Sequence, residues 1–201
     1  MSKHGMIDQL EDRLSQVGFR SLKKGLLVYS EGETSNIGLT LGHSQWGPGY
    51  VDVFPNVYVS IPDLEVPYRK ALGGRHVLPR DASCVRPINL SPPLLLSVRD
   101  EEYSMNSVAN RLLSMIQVER DKITEIRKDG VLTLIEEYDA RPVYLKSQKL
   151  FFIYKELGPD AYWKHRKAAD HNEGAWVDED KELEKIDRFV ERLEAGGRGD
   201  P

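Results

Sequence analysis

The side chains of this chain that could do chemistry match no common catalytic or metal-binding spacing. Its histidines stand at positions 4, 43, 76, 165 and 171, and it contains no HExxH motif and no CxxC pair. Those two patterns bring metal ligands together on one element, so the sequence predicts no metal site. It also lacks a Gly-x-Ser-x-Gly turn and a glycine-rich phosphate loop. We therefore predict no catalytic residue, no metal and no cofactor.

Cys84 is the single cysteine of the chain. Arg80 and Arg86 flank it in the sequence, and cations close in space activate a thiol. A small buried thiol is nevertheless the interpretation that we favour, because free cysteine is among the most frequently buried residue types. Since one cysteine cannot form an intramolecular disulfide, the composition is typical of a reducing compartment.

Aromatic residues beside turns suggest a different kind of chemistry, which is recognition of a protein partner. Trp46 and Tyr50 flank the turn at 47–49, and an exposed aromatic residue on a rigid loop is a typical interface anchor. Trp176 follows a second turn, at 172–175. Burial of Trp46 in the core is the competing interpretation, because large aromatic side chains are mostly buried.

Charge is distributed unevenly along the C-terminal half. Residues 141–167 contain seven basic and two acidic side chains, whereas residues 170–194 contain ten acidic and four basic ones. An acidic helix can steer a basic partner, or it can simply face water. The acidic residues that we select as candidates for partner binding are Asp178, Glu179, Asp180 and Glu182. Whether the basic and acidic stretches pair with each other stays open at this level.

The N-terminal half has the pattern of a helix followed by an antiparallel sheet. Apolar residues at helical spacing predict a helix over 5–17 that ends at Gly18. Alternating or apolar segments bounded by turn residues predict the strands, at 25–29, 37–41, 50–54 and 57–61. Pro55 has no N–H to donate and is predicted to interrupt the last two of these. A short helix at 63–72 and a connector at 75–93, with one strand near 85–90, complete this half.

Helical periodicity dominates after residue 100. It predicts a long core helix over 105–128, with four more helices at 132–138, 147–156, 159–169 and 178–194. Strands come first and helices later, so the predicted class is α+β, with a sheet of three to five strands and the helices packed on one face.

Length and composition set the remaining limits. The 201 residues, 30% of them charged, predict a single domain over 1–201, with helix and sheet over 5–90, a helical part over 100–195 and a disordered tail at 196–201. The formal net charge of -4 argues against a dedicated nucleic-acid binder. The start has no apolar run of a signal peptide and no stretch is long enough to span a bilayer, so we predict a cytoplasmic protein.

The layout of residues 5–61 resembles that of small bacterial α+β proteins, several of which accompany polymorphic toxins as immunity proteins. The similarity lies in the opening helix at 7–17, the exit at 18–20 with its basic residues at 23–24, and the strands at 25–29 and 36–41. It implies a non-enzymatic, cytoplasmic protein that binds one cognate partner and blocks the active site of a toxin. The acidic residues at 178–191, and not the resemblance, favour a partner with a basic surface. No functional residue is carried over by this likeness.

Two alternatives stay open beside the partner-binding function. One is an enzyme with an unfamiliar site, built from loop residues His43, Ser44, His76 and Arg86. The other is a regulatory or structural subunit that acts by forming oligomers; the sequence leaves the oligomeric state unknown.

Overall fold

The computed structural model describes residues 3–31, 35–45, 47–139, 146–169 and 177–197. The chain divides into two compact units, the first formed by Met1–Ile61 with Ala82–Ala140 and the second by Pro62–Asp81 with Arg141–Pro201. Two compact units are compatible with one domain or with two, so the single domain stays a prediction.

The α+β class is confirmed. In the described residues the helices are α1 (Lys3–Gln16), α2 (Pro62–Ala71), α3 (Glu101–Arg127), α4 (Val131–Tyr138), α5 (Lys146–Leu157), α6 (Pro159–Ala169) and α7 (Val177–Gly197). The strands are β1 (Arg20–Lys23), β2 (Leu26–Glu31), β3 (Asn36–Gln45), β4 (Tyr50–Ser60), β5 (Cys84–Pro87) and β6 (Leu94–Ser97).

The first unit contains one antiparallel sheet in the order β1-β2-β3-β4-β5, and β6 also pairs with β4. Strand β4 is the centre of this arrangement. It pairs with β3 along one edge, while the other edge is shared by β5 at residues 56–59 and by β6 at residues 50–53. The sheet thus has six described strands, one more than the predicted range.

Pro55 lies between the part of β4 that pairs with β5 and the part that pairs with β6. Its carbonyl accepts a hydrogen bond from the backbone N–H of Ile88 at 3.0 Å, so Pro55 faces this split edge. In an antiparallel strand the N–H and the C=O of one residue point to the same side, so the N–H that proline lacks would also have faced this edge. Strand β4 therefore continues through Pro55, and it is the pairing strand that changes there.

One face of this sheet is the core of the first unit. Leu27, Leu39 and Val57 are direct neighbours in the ladder and are completely buried. The apolar stripe of α1, which the spacing predicts, is buried as well: Met6, Leu10 and Leu14. Helix α3 packs against α1, α4 and the strands β3, β4 and β6. Each fully buried aliphatic side chain contributes about 2 kcal/mol of hydrophobic stabilisation.

Tyr58 crosses the other face of the sheet. Its ring is completely buried, and its hydroxyl donates a hydrogen bond to the carbonyl of Leu27 at 3.1 Å. The ring passes over Gly38, where an added Cβ would lie 2.6 Å from the phenol and 2.1 Å from the Leu27 oxygen. Only glycine leaves room for the ring at this position.

The second unit consists of α2 and the helices α5, α6 and α7. Its core is aromatic: the ring centres of Tyr68 and Phe151 are 5.7 Å apart, and Phe152 and Tyr162 are also fully buried. The predicted helices at 147–156, 159–169 and 178–194 are present as α5, α6 and α7.

Candidate protein-interaction site

The N-terminal part of β4 carries two aromatic side chains on its open face. Side chains alternate along a strand, so Tyr50 and Phe54 point to the same side of the sheet. They are 38% and 48% exposed, whereas Val51 and Val53 on the opposite side are buried. Asp52 lies between the two aromatic residues and is half-buried. An alternation of this kind was visible in the sequence and is the signal that could have identified Phe54.

A small cleft of about 160 Å³ lies next to Phe54. One wall is β4, and the other is the connector at 88–93, including Ile88 and Leu90. On its other side Phe54 is the ladder partner of Gly42 in β3, which has no side chain to cover the ring. The result is an apolar surface with a recess beside it.

Arg111 of α3 fixes the connector in place. Its guanidinium donates hydrogen bonds to the carbonyls of Pro93, at 3.2 Å, and Pro92. The N–H of Ile88 binds the Pro55 carbonyl at the start of the same segment. The connector is therefore held to α3 and to β4, and a surface that is ordered before binding loses less entropy when a partner arrives.

A second and larger cleft, of about 490 Å³, lies on the α3 side of the connector. Its apolar lining consists of Ile88, Leu90, Met115 and Val118. Val118 is 66% exposed, which is unusual for a valine in the middle of a long helix. The connector thus separates two recesses of the first unit, and the larger one is mainly apolar.

Of the other predicted partner-binding residues, several lie outside the described part of the chain. Trp46 and Trp176 are not among the described residues, and for Asp178, Glu179 and Asp180 only the helical backbone of α7 is described. Their role in binding stays a prediction.

Glu182 is described, and it has partners within its own unit. Its carboxylate accepts hydrogen bonds from the hydroxyls of Ser147, at 2.9 Å, and Tyr68, at 3.3 Å. Burial, together with the nearby Glu182 charge, raises the pKa of Tyr68 above its ordinary value, although the Ser147 hydroxyl beside it acts in the opposite direction. Glu182 therefore connects α7 with α2 and α5.

Two more acidic residues of α7 pair with α6. The basic stretch at 141–167 and the acidic stretch at 170–194 therefore do contact each other, at least at these two positions. Asp187 lies 3.2 Å from the Arg166 guanidinium and accepts a hydrogen bond from the Tyr162 hydroxyl. Glu194 accepts one from the indole N–H of Trp163 at 3.2 Å. The exposed charged side chains of the described part of α7 are of both signs: Lys181, Glu184, Lys185, Arg188, Glu191 and Arg192.

The burial of three tyrosines has a measurable consequence at high pH. Burial is the main cause that raises the pKa of Tyr162, Tyr68 and Tyr138 above the usual value of about 10. A raised pKa in the folded state means that the stability it brings is present below about pH 10 and is lost as the pH rises further. In a spectrophotometric titration of the nine tyrosines, we expect at least these three to ionise only together with unfolding. Nine ionisations before any loss of circular dichroism would contradict this assignment.

Buried charge in the second unit is concentrated around α2. The Glu65 carboxylate is fully buried and lies 2.7 Å from Nε2 of His76, whose side chain is 20% exposed. A carboxylate that orients an imidazole is a component of acid-base sites, and here it also gives a partner to a carboxylate that water does not reach. The pair therefore has a structural role whether or not it has a chemical one.

Asp81 is the second buried carboxylate. It binds the guanidinium of Arg69 at 2.6 Å, that of Arg80 at 2.9 Å and the backbone N–H of Val77 at 2.6 Å. Burial by itself would raise the pKa of Asp81, but the hydrogen bonds from Arg80 and Val77 and the charge of Arg69 hold it below its usual value. Asp81 thus fixes the loop after α2 as an ionised group.

The residues of the enzymatic alternative are not brought onto one surface within either unit. His43 and Ser44 are consecutive in β3 and point to opposite faces of the sheet. The Arg86 guanidinium lies 5.4 Å from the centre of the Tyr138 ring, in the first unit, whereas His76 belongs to the second. The enzymatic function stays an untested alternative.

In the described part of the chain, no three histidine, cysteine, aspartate or glutamate side chains lie close enough to hold a metal ion. Among the described helices, none is both long and apolar enough to cross a membrane. Comparison of the chain with models of known protein families, with curated protein sequences and with solved structures finds no match.

Proposed function

We propose that this protein is a non-enzymatic binding module that recognises one cognate protein through the open face of β4. The observation that carries the proposal is the pair of exposed aromatic side chains, Tyr50 and Phe54, on one side of a strand whose other side is core. Aromatic residues next to a recess are the typical energetic centres of protein interfaces. The fixed connector at 88–93 supplies that recess.

Asp52 suggests the charge of the partner. Its carboxylate lies between Tyr50 and Phe54 on the same face of the strand. A lysine or arginine side chain can bind a carboxylate and an aromatic ring at the same time, because the ring face attracts cations. A partner with a basic side chain at the centre of its surface fits this arrangement best.

The most specific form of the proposal is an immunity protein that inhibits a cognate toxin in the cytoplasm. Support for this form comes from the resemblance of residues 5–61 to immunity-type proteins and from the preference of the aromatic face for a basic partner. A toxin that acts on nucleic acid has a basic active site, and an aromatic surface with a carboxylate at its centre would cover such a site.

The test is capture of the partner from the native host, followed by co-expression of the captured protein with variants of this chain. We expect Phe54→Ser to lower affinity roughly 30-fold and to abolish rescue from the captured toxin. Val66→Ser is the matched control, because Val66 of α2 has the same 48% exposure as Phe54. Equal binding by the two variants would exclude the β4 face as the interface.

A third variant tests whether the partner binds the acidic helix α7 instead of the β4 face. Reversing the charges of Asp178, Glu179 and Asp180 is expected to leave binding within about two-fold of the unmodified protein if the β4 face is the main site. A loss as large as that of Phe54→Ser would move the interface to α7. If the captured protein is not toxic, the binding function is supported but the immunity-type form of the proposal is wrong.

A further inference from the structure

The basic residues of α7 stand on one line of the helix. The stretch at 170–194 contains ten acidic residues and only four basic ones. With about 100° per residue, these four fall within a sector of about 60° on the helix surface, and all four are exposed: Lys181, Lys185, Arg188 and Arg192. The buried residues Leu183, Ile186 and Val190 lie almost diametrically opposite. The side of α7 that faces away from the core of its unit is therefore a basic row.

The acidic residues whose side chains are described in α7 lie outside this basic row. Three of them bind side chains of α2, α5 and α6: Glu182, Asp187 and Glu194. Glu184 and Glu191 are exposed and stand about 40° and 60° from one edge of the row. Glu184 lies 3.0 Å from Arg188, but both side chains are more than 60% exposed, so this ion pair is weak. The basic row thus keeps most of its positive charge.

A row of like charges is unfavourable for a helix that only faces water. Lys181 and Lys185 are four residues apart, and so are Arg188 and Arg192. Like charges at this spacing repel each other and destabilise a helix. Attraction of cations to the C-terminal end of the helix dipole does not account for the row, since it extends back to Lys181 in the second turn of α7. An anionic partner would remove the repulsion.

Three of the four cations border one recess of about 420 Å³. Its lining consists of Ala71 of α2, Lys185, Arg188, Glu191 and Arg192. The Arg192 side chain is turned toward Arg188 by a hydrogen bond from its Nε to the Arg188 carbonyl, at 3.1 Å. A phosphate group in this recess meets three cations, and the single carboxylate among the lining residues is that of Glu191. The recess therefore favours an anion of phosphate size.

We propose that α7 binds the phosphate backbone of a nucleic-acid duplex along the basic row. Residues 181 and 192 are eleven positions apart, which is about 16 Å along the helix, and each strand of a duplex presents about five phosphates over this distance. The net charge of -4 of the whole chain does not prevent this contact, because charges more than about 10 Å away are screened. Contacts to phosphate do not read bases, so the binding is independent of sequence.

The first test is fluorescence anisotropy of a labelled duplex of about 20 base pairs, titrated with the full chain up to about 200 µM. We expect a dissociation constant of about 10 µM at 50 mM salt. If three to four cations replace counterions, a plot of log affinity against log salt has a slope of about -3, so affinity falls about 60-fold between 50 and 200 mM. Absence of saturable binding at 50 mM salt would overturn the proposal.

Charge reversal tests whether the contact lies on the basic row. Lys185→Glu combined with Arg192→Glu should lower affinity at least 30-fold at 50 mM salt and make the salt slope smaller by about two. The matched control is Lys164→Glu with Lys167→Glu, two exposed positions of α6 with the same change in net charge, and its affinity should stay within about three-fold. Circular dichroism verifies that each variant is folded. Equal losses in the two double variants would exclude the row as the binding site.

A second probe distinguishes nucleic acid from an acidic protein. An extended poly-glutamate peptide has one charge per roughly 3.4 Å, about half the charge density of a duplex, so we expect at least ten-fold weaker binding. Equal affinity for the peptide would assign the basic row to an acidic protein and overturn the nucleic-acid proposal. Glu191→Gln removes the carboxylate from the recess and should raise duplex affinity about three-fold. Phe54→Ser should bind the duplex like the unmodified chain, because the row and the β4 face belong to different units.

Discussion

Gly38→Ala is expected to lower the free energy of unfolding of the first unit by about 3 kcal/mol. The new Cβ would lie 2.1 Å from the Leu27 carbonyl oxygen and 2.6 Å from the Tyr58 phenol. Neither group can move freely, since one is backbone of β2, which is paired on both sides, and the other is a fully buried ring. The ring has to leave its position, and its hydrogen bond to Leu27 is lost with it.

The measurement is urea unfolding combined with hydrogen exchange of the β2 and β3 amides. Gly42→Ala is the matched control: it lies four residues further along the same strand, on the same face, and its nearest contact would be an ordinary 3.5 Å. We expect Gly42→Ala to change stability by less than about 1 kcal/mol. Tyr58→Phe, which removes only the hydroxyl, should cost about 1 kcal/mol. Equal stabilities of the two alanine variants would show that Tyr58 does not fix glycine at position 38.

Asp81→Ala is expected to cost about 3 kcal/mol in the second unit, because it removes one member of a buried ion pair and leaves the other without compensation. The Arg69 side chain is only 17% exposed and would lose its carboxylate. The backbone N–H of Val77 would lose its acceptor at the same time. Hydrogen exchange of the amides at 62–81 measures the effect within this unit.

Acid should remove the same stabilisation. The folded-state pKa of Asp81 is lowered, so the stability it supplies is fully present above about pH 4 and is lost as the pH falls through the folded value. The difference between the unmodified protein and Asp81→Ala should therefore be constant near neutrality and shrink in acid. Arg80→Ala is the control, with an expected cost below about 1 kcal/mol, since Arg80 is 63% exposed. A difference that does not depend on pH would contradict an ionised Asp81.

Periodicity was sufficient to predict most helices, and the structure indicates why two strands were missed. The apolar stripes of α1, α3 and α7 face the cores of their units, so the 3.6-residue period is preserved in the sequence. Strand β1 has four exposed residues and is an edge strand, so it has no alternation to detect. Strand β6 has only four residues, three of them leucines, and a short apolar run does not by itself distinguish a strand from a helix.

The candidate surfaces were predicted less completely, because hydrogen bonds between side chains that are distant in the sequence produce no local sequence pattern. Glu182 is predicted to face a partner, yet it binds Ser147 and Tyr68 within its own unit. Further along α7, Asp187 and Glu194 stand on the same helical stripe as the buried Leu183 and Val190, at intervals of four, three and four residues. A carboxylate on an apolar stripe indicates an internal partner, and this signal could have been used. The partners themselves, Tyr162 and Trp163, depend on how α6 packs and are not visible in a local pattern.

Because the pairing strand changes at Pro55, the length of the segment between β5 and β6 can vary. Strands β5 and β6 are aligned with β4 by separate sets of hydrogen bonds, so residues can be inserted or deleted between Pro87 and Leu94 without a register shift in either strand. That segment forms a wall of both recesses. Changes confined to this segment can therefore give the recesses a different shape while the sheet stays the same.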